Sequence, residues 1–77
     1  MPQSLLLLGG AIKAQREKLG LSQEKLAERC GFDRTYISML ERGKRNPSLL
    51  NLLKLAKGLQ TSVSKLTEVY DGPQSTQ

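Results

Sequence analysis

The sequence has no histidine, no tryptophan and a single cysteine, Cys30. The chain therefore lacks the ligands of the common zinc sites, the cysteine pairs of a disulfide framework and the partners of Ser-His-Asp or Cys-His nucleophile systems. Its 77 residues form one small domain, which excludes two-domain enzymes. We expect a protein that is not an enzyme and holds no metal or cofactor, with Cys30 as a small core residue.

Long apolar runs are also missing. The longest, Leu5 to Leu8, has four residues, whereas a membrane-spanning helix needs about 20. A secretory signal peptide needs an apolar region of about 7 to 15 residues after a basic start, and residues 1–4 carry no basic side chain. We therefore expect no membrane contact and a cytoplasmic location.

Positive charge is concentrated in one part of the chain. The net charge is +5 and the isoelectric point is near 9.7. Residues 34–57 contain six basic side chains and one acidic side chain, Glu41, so this stretch carries the whole excess. Concentrated positive charge favours binding to a polyanion, because binding releases condensed counterions. Charge alone also fits an ordinary solvated surface. The predicted helices that hold these residues must distinguish this from a polyanion-binding surface.

Apolar spacing predicts an all-α fold with five helices and no strand. The predicted segments run from Leu5 to Leu19, from the N-cap Ser22 to Gly31, from the N-cap Asp33 to Glu41, from the N-cap Ser48 to Leu59, and from about Ser62 to Tyr70. We expect one domain over residues 1–70 and a flexible tail over residues 71–77.

The fourth predicted helix is rich in leucine. We expect its inner stripe to contain Leu49, Leu52, Leu53, Ala56 and Leu59. Leu50 and Leu55 flank this stripe. Together with Val69 and Tyr70 they exceed what one small core needs, so we predict a dimer interface made of Leu50, Leu55, Val69 and Tyr70. Residues 5–7 are an alternative source of that surface.

The second and third predicted helices are separated only by Gly31 and Phe32. Helices joined this closely must cross steeply, which requires a small residue at the crossing and a backbone position that tolerates positive φ. Ala27 and Gly31 meet these two requirements. This arrangement is typical of the DNA-binding helix-turn-helix, whose second helix enters the major groove.

Residues 12–66 resemble the phage-repressor-like (Xre-type) helix-turn-helix domain, with the helix-turn-helix over residues 23–42. The resemblance rests on Gly20-Leu21-Ser22-Gln23, Leu26-Ala27, Cys30-Gly31, Tyr36-Ile37-Ser38, Leu40-Glu41-Arg42-Gly43, Asn46-Pro47-Ser48 and residues 52–59. It implies a five-helix, lambda-repressor-like DNA-binding domain. Residues 33–38 look like the recognition helix of restriction-modification controller proteins. Gln60 departs from the family pattern, because many members have glycine after the fourth helix.

The third helix is expected to read bases. Arg34 lies in its first turn, where a bidentate contact from arginine to guanine contributes about 1 to 3 kcal/mol of discrimination. The base-contacting candidates are Arg34, Thr35, Ser38 and Met39. Arg34, Thr35 and Met39 replace glutamines by which some phage repressors read bases, so no operator sequence carries over.

Other side chains are expected to position the protein on the sugar-phosphate backbone. These candidates are Ser22, Gln23, Tyr36, Arg42, Lys44, Arg45 and Asn46. The resemblance implies that Gln23 grips a phosphate at a helix amino terminus. Tyr36 has two readings, a core aromatic or a ring whose hydroxyl reaches a phosphate. The resemblance also implies a structural ion pair between Arg16 and Glu41.

The sequence thus predicts a homodimeric transcriptional regulator that binds a double-stranded DNA operator at a promoter. It acts on the nucleoid as a repressor, or as an activator that contacts RNA polymerase. The controller protein of a restriction-modification system is the specific hypothesis. We expect no small-molecule ligand, because no ligand domain follows Leu66. The alternatives are an antitoxin that regulates its own operon and an interaction adaptor with incidental DNA affinity.

Overall fold

The computed structural model describes residues 2–71, which form five α-helices and one short 3-10 turn. The helices are α1 (Gln3–Lys18), α2 (Gln23–Cys30), α3 (Arg34–Glu41), α4 (Leu49–Gly58) and α5 (Val63–Leu66), and the 3-10 turn is Glu68–Tyr70. The all-α prediction is confirmed. Apart from Asp71, the tail predicted to be flexible lies outside the described residues. No helix within residues 2–71 combines the length and apolarity that crossing a membrane requires.

The helix-turn-helix begins and turns at the predicted residues, but one of the two predicted caps is absent. The Ser22 hydroxyl accepts a hydrogen bond from the backbone N–H of Lys25 at 3.0 Å, which caps α2. Gly31 ends α2 with φ at 76°, the left-handed conformation that glycine adopts without strain. Asp33 occupies the N-cap position of α3, but its side chain makes no capping hydrogen bond. The start of α3 was thus predicted correctly, without the expected cap.

A small core unites the helices. Its buried apolar side chains are Leu8, Ile12, Leu26, Ala27, Cys30, Ile37, Leu40, Leu55, Ala56, Leu59 and Leu66. Cys30 is a small buried residue of this core. It packs closely against α4, because a Cβ added at Gly58 would lie 2.6 Å from its Sγ. Burial raises the pKa of the Cys30 thiol, an effect that the nearby charge of Arg29 opposes.

The predicted inner stripe of α4 is partly wrong. Leu49 and Leu53 are 66% and 51% exposed, whereas Leu55 is fully buried. The observed inner positions are Leu52, Leu55, Ala56 and Leu59, which have the helical spacing i, i+3, i+4 and i+7. Leucines occupy both sides of this helix, so periodicity alone did not fix which side faces the core. Leu55 is therefore not an interface residue, contrary to the prediction.

The end of the described chain also differs from the prediction. Helix α5 ends at Leu66, and Tyr70 lies in the separate 3-10 turn. The Tyr70 hydroxyl donates a hydrogen bond to the carbonyl oxygen of Ser4 at 2.6 Å. The half-buried ring packs against the core, and burial raises the pKa of its hydroxyl. Tyr70 thus fastens this turn to α1.

Candidate nucleic-acid interface

Helix α3 has one buried side and one outward side. Ile37 and Leu40 are 0% and 2% exposed and attach the helix to the core. Arg34 and Thr35, in the first turn, are exposed. Of the other predicted base-contacting residues, Ser38 and Met39 are half-buried. The first turn of α3 thus presents a cation and a hydroxyl to solvent, as entry into a DNA groove requires.

A surface groove of about 380 Å³ runs beside this turn. Its walls are Gly31, Phe32, Asp33, Thr35, Tyr36, Met39, Arg45 and Asn51. Four of these residues, Thr35, Tyr36, Met39 and Arg45, are sequence-predicted contacts. The structure therefore brings base-reading and backbone-contacting candidates from α3 and the following loop to one place.

Tyr36 organises the groove. Its ring meets Phe32 edge to face, with centroids 4.9 Å apart, and its hydroxyl accepts a hydrogen bond from Asn51 Nδ2 at 3.0 Å. The guanidinium carbon of Arg45 lies 5.0 Å from the centroid of the same ring, a cation–π contact of about 0.5 to 1 kcal/mol at an exposed site. The ring thus packs on its neighbours while it helps to place a cation.

Asn51 was missed in the sequence. It lies in the first turn of α4, and its side-chain amide fixes the Tyr36 hydroxyl. The available signal was a polar residue between apolar neighbours, because Asn51 is flanked by Leu50 and Leu52. Such a residue is explained when a partner for its amide is found.

The basic loop, residues 42–46, follows α3 directly. Arg42, Lys44, Arg45 and Asn46 are all exposed. The loop folds back on the helix, because the backbone N–H of Lys44 donates to the carbonyl oxygen of Met39 at 2.8 Å. No acidic residue occurs from position 42 to position 57. Glu41, which precedes the loop, is paired with Arg16 and so does little to offset the positive potential of the loop.

Arg16 and Glu41 form the expected ion pair, and its geometry is bidentate. Arg16 Nε lies 2.6 Å from Glu41 Oε2, and Arg16 Nη2 lies 3.0 Å from Oε1. Arg16 Nη1 also donates to the carbonyl oxygen of Leu21 at 2.7 Å. The Glu41 side chain is only 3% exposed. Its hydrogen bond raises the pKa of Arg16, although burial opposes the rise.

Gln23 has an internal partner that the sequence did not indicate. Its Nε2 donates to Glu41 Oε1 at 3.0 Å, so the side chain predicted to grip a phosphate is partly engaged within the protein. The last residue of α3 is therefore tied to α1 through Arg16 and to α2 through Gln23. These bonds fix the position of α3 relative to the two helices behind it.

Several large apolar side chains are also exposed. On α4, Leu49, Leu50 and Leu53 are 66%, 70% and 51% exposed. Val69 in the 3-10 turn is 38% exposed, and Leu6 and Leu7 of α1 are 45% and 37% exposed. The predicted interface residues Leu50 and Val69 are thus on the surface, while Leu49 and Leu53 add to the apolar surface of α4.

Comparison with known proteins identifies the family. The profile of the helix-turn-helix family HTH_3 matches residues 12–66. Over 54 residues the chain is 50% identical to control protein C.MunI of Mycoplasma sp, covering 70% of this chain and 73% of that protein. Over 60 residues it is 48% identical to control protein C.SmaI of Serratia marcescens, covering 78% and 71%. The crystal structure of the restriction-modification controller protein C.AhdI from Aeromonas hydrophila superposes with a TM-score of 0.79 at 45% identity, covering 80% of this chain and 94% of that chain.

Proposed function

The chain belongs to the helix-turn-helix family and is a DNA-binding transcription regulator, and from this we propose that it is the controller protein of a restriction-modification system, acting as a homodimer on a promoter operator. The names of the relatives C.MunI, C.SmaI and C.AhdI support the controller role. The observation that carries the mechanism is the exposed first turn of α3 beside a groove that it shares with the basic loop.

The outward side chains of α3 are the ones that contact bases in this proposal. Arg34 is exposed in the first turn of α3, the part of the helix that would enter the DNA major groove. Its guanidinium matches the two hydrogen-bond acceptors of guanine. Thr35 offers a methyl group to thymine and a hydroxyl to a base or phosphate. Ser38 and Met39 lie farther along the helix and contact bases only where the edge of the DNA major groove comes closest to α3.

Phosphate contacts flank this helix on both sides. Arg42, Lys44, Arg45 and Asn46 grip the backbone on the side of the basic loop, with Arg45 held beside Tyr36. On the other side, Ser22 and the first amides of α2 face the backbone, and Gln23 contributes its backbone N–H and its second amide hydrogen. These contacts position the protein and carry no sequence preference.

Two copies related by a twofold axis would double the readout of one small recognition helix and require half-sites about one helical turn apart. The apolar surface of α4 is the proposed interface, formed by Leu49, Leu50 and Leu53, and Val69 of the 3-10 turn is a further exposed candidate. Leu50→Lys is expected to give a monomer in sedimentation at micromolar concentration, because it buries a charge in each half of the interface.

The matched control is Leu7→Lys on α1, which tests the alternative surface. A dimer that survives Leu50→Lys but is lost with Leu7→Lys would place the interface on α1. A wild-type monomer at that concentration would refute the dimer.

Regulation follows from occupancy of the operator. The bound dimer represses by blocking RNA polymerase, or activates by contacting it. Such a regulator acts in the cytoplasm on the nucleoid.

The function is tested by selecting bound duplexes from a random pool and measuring the affinities of variants. Arg34→Ala is expected to cost about 1 to 3 kcal/mol and to relax base preference at one operator position. Lys44→Ala is expected to weaken binding to all sequences alike and to flatten the salt dependence by about one unit.

Lys65→Ala is the charge-matched control, because Lys65 lies on α5 and pairs with Glu68 at 3.5 Å. Equal effects of Arg34→Ala and Lys44→Ala on selected and random DNA would contradict their assigned roles. A wild-type protein that enriches no sequence would contradict the function itself.

A further inference from the structure

Helix α1 meets the end of α3 at a glycine. A Cβ added to Gly9 would lie 2.4 Å from the carbonyl oxygen of Leu40 and 2.6 Å from that of Glu41. Both neighbours are backbone atoms, so no side-chain rotation relieves the overlap. Nothing lies within 4 Å of a Cβ added to Gly10, the next residue. Packing therefore requires glycine at position 9 and not at position 10.

A second close approach joins α1 to the basic loop. Gly43 is buried and has φ at 73°. A Cβ added to it would lie 2.8 Å from Leu6 Cδ2 and 3.0 Å from the backbone nitrogen of Leu6. Lys44 follows directly in the chain. The loop that carries the phosphate-contacting candidates thus rests on the first turns of α1.

The same turns of α1 are fixed from another direction. Tyr70, in the 3-10 turn, donates its hydroxyl hydrogen to the carbonyl oxygen of Ser4. Residues 3–11 precede the span 12–66 that the family profile matches. The part of α1 that supports the loop is therefore outside the matched helix-turn-helix region.

We propose that Leu6 and Gly9 of α1 are positioning residues for DNA binding. Gly9 and Leu6 set the distance between α1, the end of α3 and the start of the basic loop. They thereby hold the loop cations in register with the base-reading side of α3. A side chain at position 9 must push Leu40 and Glu41 outward, and the displacement passes into residues 42–46. This inference rests on the proposed function.

Two matched pairs of variants test the proposal. Gly9→Ala and Gly10→Ala make the same change at adjacent positions of one helix. Leu6→Ala and Leu7→Ala truncate leucines of similar exposure, 45% and 37%, of which Leu6 is the one nearest Gly43. Thermal unfolding followed by circular dichroism identifies a temperature at which every variant is folded. Fluorescence anisotropy then measures affinity for the selected duplex and for a random duplex over a range of salt concentrations.

Gly9→Ala and Leu6→Ala are expected to bind the selected duplex about tenfold and about threefold more weakly, with a salt dependence shallower by about one unit. Gly10→Ala and Leu7→Ala are expected to keep the wild-type affinity and salt dependence. A change in salt dependence separates positioning from lost stability, because a folded protein with all its phosphate contacts keeps its slope.

Folded Gly9→Ala and Leu6→Ala proteins with wild-type affinity and slope would overturn the positioning role and leave the proposed function intact. If Gly9→Ala does not fold, the Leu6→Ala and Leu7→Ala pair decides by the same criterion. Failure of the wild-type protein to bind any duplex in low salt would overturn both proposals.

Discussion

Replacing Glu41 by glutamine is expected to remove a large part of the stability of this domain. The substitution keeps the size of the side chain but removes its charge. Glu41 accepts two hydrogen bonds from Arg16 and one from Gln23, at 2.6 to 3.0 Å. Its side chain is 3% exposed and that of Arg16 is 11% exposed. Glu41→Gln therefore leaves a buried guanidinium without its counterion.

Breaking a buried pair from one side costs about 3 to 5 kcal/mol. A domain of this length has a total free energy of unfolding of about 4 to 12 kcal/mol. Each kcal/mol corresponds to a shift in Tm of about 4 to 8 °C for a domain of 60 to 100 residues. Glu41→Gln is thus expected to lower Tm by about 12 to 40 °C, measured by calorimetry together with urea unfolding.

Glu28→Gln is the matched control. Glu28 pairs with Lys25 at 3.3 Å, but the two side chains are 70% and 58% exposed. Such surface pairs contribute about 0 to 1 kcal/mol. The double variant Arg16→Met/Glu41→Leu should be more stable than Glu41→Gln, since it removes both charges. A loss below about 1 kcal/mol for Glu41→Gln would refute the reasoning from buried charge.

Two further predictions concern the end of α4 and the buried thiol. Gln60 has φ at 55°, a conformation that costs a residue with a Cβ about 1 to 2 kcal/mol. Gln60→Gly should therefore raise the free energy of unfolding, measured in urea, by about 1 kcal/mol. An unchanged or lower free energy of unfolding would contradict this prediction. Because burial raises the pKa of Cys30, the unfolded chain ionises first. The contribution of the thiol to stability is therefore complete below about pH 8.5 and is lost as pH rises through the folded-state pKa. Urea unfolding should show this decline for the wild type and a flatter profile for Cys30→Ala, and parallel profiles would refute it.

The sequence predicted the elements that depend on local chemistry. Ser22 and Gly31 have preferences that act within a few residues, one for accepting an amide hydrogen bond and one for positive φ. Both were identified at the correct positions. The helix-turn-helix followed because the short connection leaves little freedom to the two helices that it joins.

Features that depend on contacts between distant residues were harder to predict. The fourth helix has leucines on nearly every side, so its rotation was settled only by packing, and Leu55 proved to be buried. The bond from Gln23 to Glu41 joins residues 18 positions apart, and the Asn51 bond to Tyr36 spans 15. Spacing along one helix carries no information about such partners. Similarly, glycine at position 9 has a reason only when the carbonyl groups of α3 lie against it.

The buried anchors of α3 and its outward side chains belong to separate sets. Ile37, Leu40 and Glu41 secure the helix, whereas Arg34 and Thr35 are exposed. Surface substitutions away from such anchors usually change stability by no more than about 0.5 kcal/mol. If Arg34 and Thr35 read bases as proposed, exchanging this outward pair would redirect the protein to a new target sequence at little cost in stability, which gives this scaffold wide scope for divergence.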